Sequence, residues 1–142
     1  MLTGLFVLAG GGLLAMLFHR SARLANFFGC LTAVLGNALV LWPVLGVVIS
    51  GASLPELSLA WNVPFGSFTV ALDPLSAWFA AAIAGLAMLA AVYGAGYLAH
   101  CADHKSLGPP WLFYNLLVVA MLLVVIARNG GLYLVAWEGM AR

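Results

Sequence analysis

Charge is what this sequence has least of. Its 142 residues hold five Lys or Arg and four Asp or Glu, 6% in all, where an ordinary soluble domain carries about 25%. Nine charged side chains cannot clothe a soluble fold of this size. With 65% hydrophobic residues, the solvent that suits the chain is lipid. The net charge of +1 argues for neither nucleic acid nor a polybasic membrane patch. Cysteine is nearly missing too: Cys30 and Cys101 occur without a CxxC pair. A thiolate-bound iron–sulfur cluster usually takes about four cysteines, so this chain alone holds none, and both thiols read as inert. No cofactor is expected. A basic segment ahead of the first apolar run is also lacking. Residues 1–18 are apolar, and the "HRSAR" that follows is no small-residue cleavage site. That run reads as a retained transmembrane helix and not as a signal peptide.

What is present is a series of apolar runs. About 20 residues at about 1.5 Å each cross a hydrocarbon core of about 30 Å. The expected spans are 2–18, 24–49 (with Pro43), 74–99 and 110–127. A fifth run, 131–142, would reach only about half a bilayer. The fold class is therefore an all-α membrane protein with four transmembrane helices and a truncated fifth.

The connections differ in chemistry. "HRSAR" is a short basic turn, and "HCADHKSLGPP" (100–110) is a polar loop, whose Pro109 and Pro110 suit the start of the next helix. In "RNGG" (128–131), Asn129 and Gly130 are expected to end helix four with a left-handed cap. Residues 50–73 read otherwise. Leu57, Leu59 and Trp61 alternate with polar or small residues, as do Phe68, Val70 and Leu72 after "VPFG". That period of two either side of a Pro/Gly turn predicts a β-hairpin over about 56–72. Asp73-Pro74 then reads as the N-cap and first residue of helix three. Arg20, Arg23 and Lys105 share one side of the membrane against Arg128 on the other. The positive-inside rule thus puts the first two loops in the cytoplasm, with the N-terminus and hairpin outward.

Few residues offer chemistry. The glycines of "AGGGL" (9–13) fall mid-membrane, where close helix packing is the reading and a phosphate cradle is not. His100, Cys101, Asp103 and His104 are metal-ligating types, but their spacing matches no standard pattern, and an exposed polar loop explains them. No metal is expected. Asn26, Asn37 and Asn115 lie within spans, each placed to hydrogen-bond a neighbouring helix.

Glu138 stands apart. A charge at a helix centre costs about 2.5–3.5 kcal/mol on insertion scales. Roughly 10 Å below the 128–131 turn, a short glutamate must face protein or water. One reading pairs it with Arg142 at i+4. The other makes it an intramembrane proton carrier, held between desolvation, which favours the neutral form, and a nearby cation, which favours the charged one.

Three motifs in order carry a resemblance. They are "DPLSAWF" (73–79) opening helix three, "Y-x-x-GYL" (93–98) closing it, and "WEGM" (137–140) inside helix five. Over 72–140 the chain resembles the antiporter-like, proton-translocating subunits of respiratory complex I. That family also includes membrane-bound hydrogenase subunits and the large subunit of multi-subunit Na⁺/H⁺ antiporters. The "DPLSAWF" wording looks closest to the hydrogenase-4 and formate-hydrogenlyase subunits. The resemblance implies about fourteen helices with two inverted five-helix repeats, and Glu138 at the position of the family's proton-pathway glutamate. That glutamate's usual partner is a lysine on a seventh helix. The resemblance also implies no redox cofactor in the subunit. Its partners would be other membrane subunits, a peripheral redox arm, the bilayer, and protons or Na⁺. The location implied is the cytoplasmic membrane of a prokaryote. Family members continue past the motif with small or apolar residues, whereas here Ala141-Arg142 follows. The chain is accordingly expected to be an N-terminal fragment, truncated or frameshifted. The open alternatives are an oxidoreductase subunit, an antiporter subunit without electron transfer, and a non-catalytic scaffold.

Overall fold

The computed structural model describes residues 1–63, 66–100 and 106–141. The chain forms α1 (Leu2–Leu17), α2 (Ala22–Ser50), β1 (Leu54–Val63), β2 (Gly66–Leu72), α3 (Pro74–Ala99), α4 (Gly108–Ile126) and α5 (Gly130–Ala141). Helices α2, α3 and α4 are long and apolar enough to cross a membrane. Helix α1 has 16 residues, about 24 Å of rise, short of the usual span. Helix α5 has 12.

The first four helices pack as a ring, α1 on α2, α2 on α3, α3 on α4 and α4 back on α1, with α5 outside against α4 and β2. Small residues allow the close approach. An added Cβ at Gly11 would stand 2.1 Å from Thr32 Oγ1 of α2, and one at Gly12 3.3 Å from Asn115 Cβ of α4. Gly10 faces open space. The glycine run thus serves two helix contacts with two of its three members. The interior holds Leu5, Leu8, Val40, Val44, Leu122 and Ile126. The exterior is as apolar as the core: Trp42 is 85% exposed and Ile49 84%. Such a surface is at home against hydrocarbon or further helices.

Asn26 ties three helices together. Its amide donates to Ala95 O of α3 at 2.9 Å, and its Oδ1 accepts from Trp111 Nε1 of α4 at 3.0 Å. Cys30 Sγ–H points to Ala91 O at 3.7 Å, and the Tyr114 hydroxyl donates to Ala87 O. The carbonyls of residues 87, 91 and 95, one turn apart, thus form a polar ladder down one side of α3. Asn37 and Asn115 depart from expectation. Each is fully buried, but each donates back to its own helix, to Ala33 O at 2.8 Å and Trp111 O at 3.0 Å. Their Oδ1 atoms accept no hydrogen bond among the described residues. The reason is reach, since the carbonyl one turn back is the nearest acceptor for a short amide. Substituting Asn26→Leu should therefore cost about 1–2 kcal/mol, summed over two interhelical bonds. Asn37→Leu should cost nearly nothing or stabilise, because it removes an unmatched acceptor of similar volume. Unfolding in detergent compares the two.

The hairpin sits between α2 and α3. Gly51, at φ +67°, ends α2 in the left-handed conformation with its N–H on Val47 O at 2.9 Å. The strands pair antiparallel, with Leu57 opposite Val70, Leu59 opposite Phe68 and Leu54 opposite Leu72. Leu57 thus pairs with an apolar partner across the ladder, although irregularities in register interrupt it. The sheet begins at Leu54, two residues ahead of the expected start. The predicted Pro/Gly turn includes Pro64 and Phe65, outside the described residues, as are Cys101, Asp103 and His104 of the polar loop.

Candidate functional site

Helix α5 carries the glutamate, and its position is set at its first turn. Helix α4 stops because Ala127 turns extended, at φ −62° and ψ 132°. Ala127 forms a β-bridge with Val70 of the hairpin. The next amide, Arg128 N–H, donates to Thr69 O at 2.9 Å. This replaces the left-handed Asn129-Gly130 cap expected from sequence: the hairpin edge offers the backbone partners that a local cap would have supplied. Asn129 starts α5 instead, its Oδ1 accepting from Gly131 N at 2.8 Å and its carbonyl from Tyr133 N at 2.9 Å.

The Arg128 side chain turns to the base of the hairpin, where Asp73 follows β2. Its Nη2 lies 2.7 Å from Asp73 Oδ2. Asp73 is also the N-cap of α3, where Oδ1 accepts from Ser76 N at 2.7 Å. Each carboxylate oxygen therefore has its own donor. The Arg128 guanidinium first, and then the Ser76 amide, hold this carboxyl well below the usual carboxylate range. A depressed acid adds stability that is complete above its unfolded value, about 3.9, and is lost as pH falls below it. The stability that the Asp73 contacts contribute should thus be complete from neutral pH down to about pH 5 and fall in stronger acid, where the unfolded chain takes up the proton. Unfolding midpoints in detergent compared with Asp73→Asn, whose pH dependence should be flatter below about pH 4, check this.

Beyond that start, α5 buries Leu132 and Ala136. Glu138 follows Ala136 by two residues, about 200° around the helix. It is exposed, on the side away from the buried stripe, beside Trp137, which is 49% exposed. It lies eight residues beyond Gly130, roughly 12 Å along the axis. One residue on, a Cβ at Gly139 would meet Ala120 of α4 at 3.9 Å. The two helices leave a groove of about 380 Å³ lined by Phe113, Leu116, Leu117, Gly139 and Met140. The glutamate is therefore presented outward from the described bundle. The suggested Glu138–Arg142 pair lies outside the described residues.

The order of the hairpin, the Asp73 cap and the outward Glu138 matches the sequence motifs that carried the resemblance. No family model matches the chain. The chain is similar to NADH-quinone oxidoreductase subunit L. Two such proteins, from Mycobacterium tuberculosis strains CDC 1551 / Oshkosh and ATCC 25618 / H37Rv, are each 29% identical over 140 residues. The match covers 94% of this chain and 22% of each relative. The chain thus spans about a fifth of the length of the curated relatives it matches. This likeness is to the NADH–quinone side of the resembled group; neither relative is a hydrogenase-4 subunit.

Sequence reasoning anticipated the Asp73 cap and singled out Glu138, but missed the Asp73–Arg128 pair. A signal was available: in a chain with nine charges, these two stand at helix ends on the same predicted side of the membrane.

Proposed function

We propose that this chain is the N-terminal part of a proton-translocating membrane subunit of an NADH-quinone-type oxidoreductase. The carrying observation is an acidic side chain on an otherwise apolar α5, turned away from its own bundle, in a chain similar to subunit L over 94% of its length. In this reading α1 crosses the membrane as a fourth span. The N-terminus, the hairpin and Arg128 face outward from a prokaryotic cytoplasmic membrane, with Arg20, Arg23 and Lys105 inside. The subunit holds no redox centre. Other membrane subunits and a peripheral redox arm supply the electron transfer, to which proton movement is coupled.

Glu138 takes up a proton when its surroundings are dry and releases it when a cation approaches. Moving one charge across 100 mV requires about 2.3 kcal/mol, which a shift of nearby charge in a low-dielectric interior can supply. A hydrogenase-4-type complex and a Na⁺/H⁺ antiporter would use the same group with other partners. The test is ion movement into vesicles by the full-length protein in its complex, with NADH and a quinone as drivers and Glu138 neutralised. Unaltered translocation by the neutral variant sinks the role. Ion exchange without any electron input would instead favour the antiporter.

A further inference from the structure

Glu138 acts only at a fixed depth and rotation, and α5, which carries it, is a short helix of 12 residues. It packs on α4 and β2, on the outside of the bundle. Its buried side chains are Leu132 and Ala136, and apolar packing of this kind is non-directional, so it fixes depth and rotation less sharply than a polar contact does. The segment that leads into it, by contrast, is tethered three times: the Val70–Ala127 bridge, the Arg128 N–H on Thr69 O, and the ion pair to Asp73. Only the last reaches α3. Asp73 is itself fixed, being the cap of α3 and the residue that directly follows β2.

We infer that Asp73 and Arg128 are positioning residues for Glu138: their ion pair latches the start of α5 to the cap of α3 and so sets where the glutamate sits. This rests on the proton-carrying reading of Glu138. The lever is short, because Arg128 lies two residues ahead of α5, and the helix carries a displacement of its start at Gly130 over about 12 Å to Glu138. Misplacing a reacting group by about 1 Å can cost on the order of 100-fold. Among the described residues of the elements packed on α5, other titratable groups are few. Helix α4 brings Tyr114, whose hydroxyl is turned to Ala87 O of α3; β2 brings none; and α5 itself adds Tyr133.

The test separates the latch from the cap. Asp73→Ser keeps a good N-cap but is too short to reach Arg128, and Arg128→Gln leaves the cap untouched. In the full-length protein within its complex, each is expected to lower translocation per assembled complex by about tenfold or more. Each should also shift the pH profile of translocation. The double variant should be no worse than either single one, since both break the same contact. Arg128→Lys, which keeps the charge, should recover most of the rate. Wild-type rate and pH profile per assembled complex in both single variants overturn the latch, as does a loss confined to the amount of complex assembled. Glu138→Gln is measured beside them. If it abolishes translocation while the latch variants behave as wild type, only the positioning role fails. If it has no effect, the proton-carrying reading itself is lost.

Discussion

Replacing Glu138 by glutamine in the full-length protein is expected to lower proton translocation by about 100-fold or more, the range that one positioned proton-transfer group contributes. Glutamine has the same shape and cannot be protonated or deprotonated near neutral pH. Assembly should be unaffected. Glu138 is exposed on the side of α5 away from Leu132 and Ala136, so the change touches none of the buried packing. A neutral amide is also cheaper than a carboxylate in an apolar setting. Glu138→Asp keeps the acid but draws it back by one methylene. It should retain part of the rate, with geometry as the only fault. Acidification of vesicles per unit of assembled complex reads both variants. Equal loss in the two would mean that distance matters as much as charge.

A large structural effect is expected at Gly29. An added Cβ there would stand 2.3 Å from Trp111 Cγ and 2.5 Å from Cδ2. Trp111 cannot yield easily. It is 2% exposed, its Nε1 is bonded to Asn26, and its ring meets Tyr114 edge-on at 5.7 Å. Gly29→Ala should therefore force α2 and α4 apart, costing about 1–3 kcal/mol for overpacking. The strained Trp111–Asn26 bond adds to that, with interhelical bonds averaging about 0.6 kcal/mol. Gly10→Ala is the control: nothing lies within 4 Å of its added Cβ, and alanine gains up to about 1 kcal/mol in helix propensity. Thermal unfolding in detergent should rank Gly29→Ala below the native chain and Gly10→Ala level with it or above. A Gly29→Ala protein as stable as the native one would mean that the α2–α4 contact is looser than described.

Composition and periodicity alone establish much of this molecule. Six per cent charge and long apolar runs call for lipid, because no other solvent tolerates so bare a surface. The runs themselves place the five helices to within a few residues. A period of two, set among helical runs, marks the hairpin, and Asp-Pro marks the start of α3. Glu138 is legible for the same reason as the membrane: a carboxylate in an apolar helix is costly, and its cost draws attention.

Contacts between segments distant in sequence leave no such mark. Whether an asparagine finds a neighbouring helix, as Asn26 does, or its own carbonyls, as Asn37 and Asn115 do, depends on which backbone comes within reach of a short side chain. Helix α4 ends on the hairpin edge and not on Asn129-Gly130, because tertiary folding brings Thr69 and Val70 to receive it. The Asp73–Arg128 pair joins residues 55 positions apart. It exists because the hairpin returns the chain to the same end of the bundle at which α4 turns into α5. Sequence periodicity registers what each segment buries; where two segments meet is decided by packing and loop closure over the whole chain.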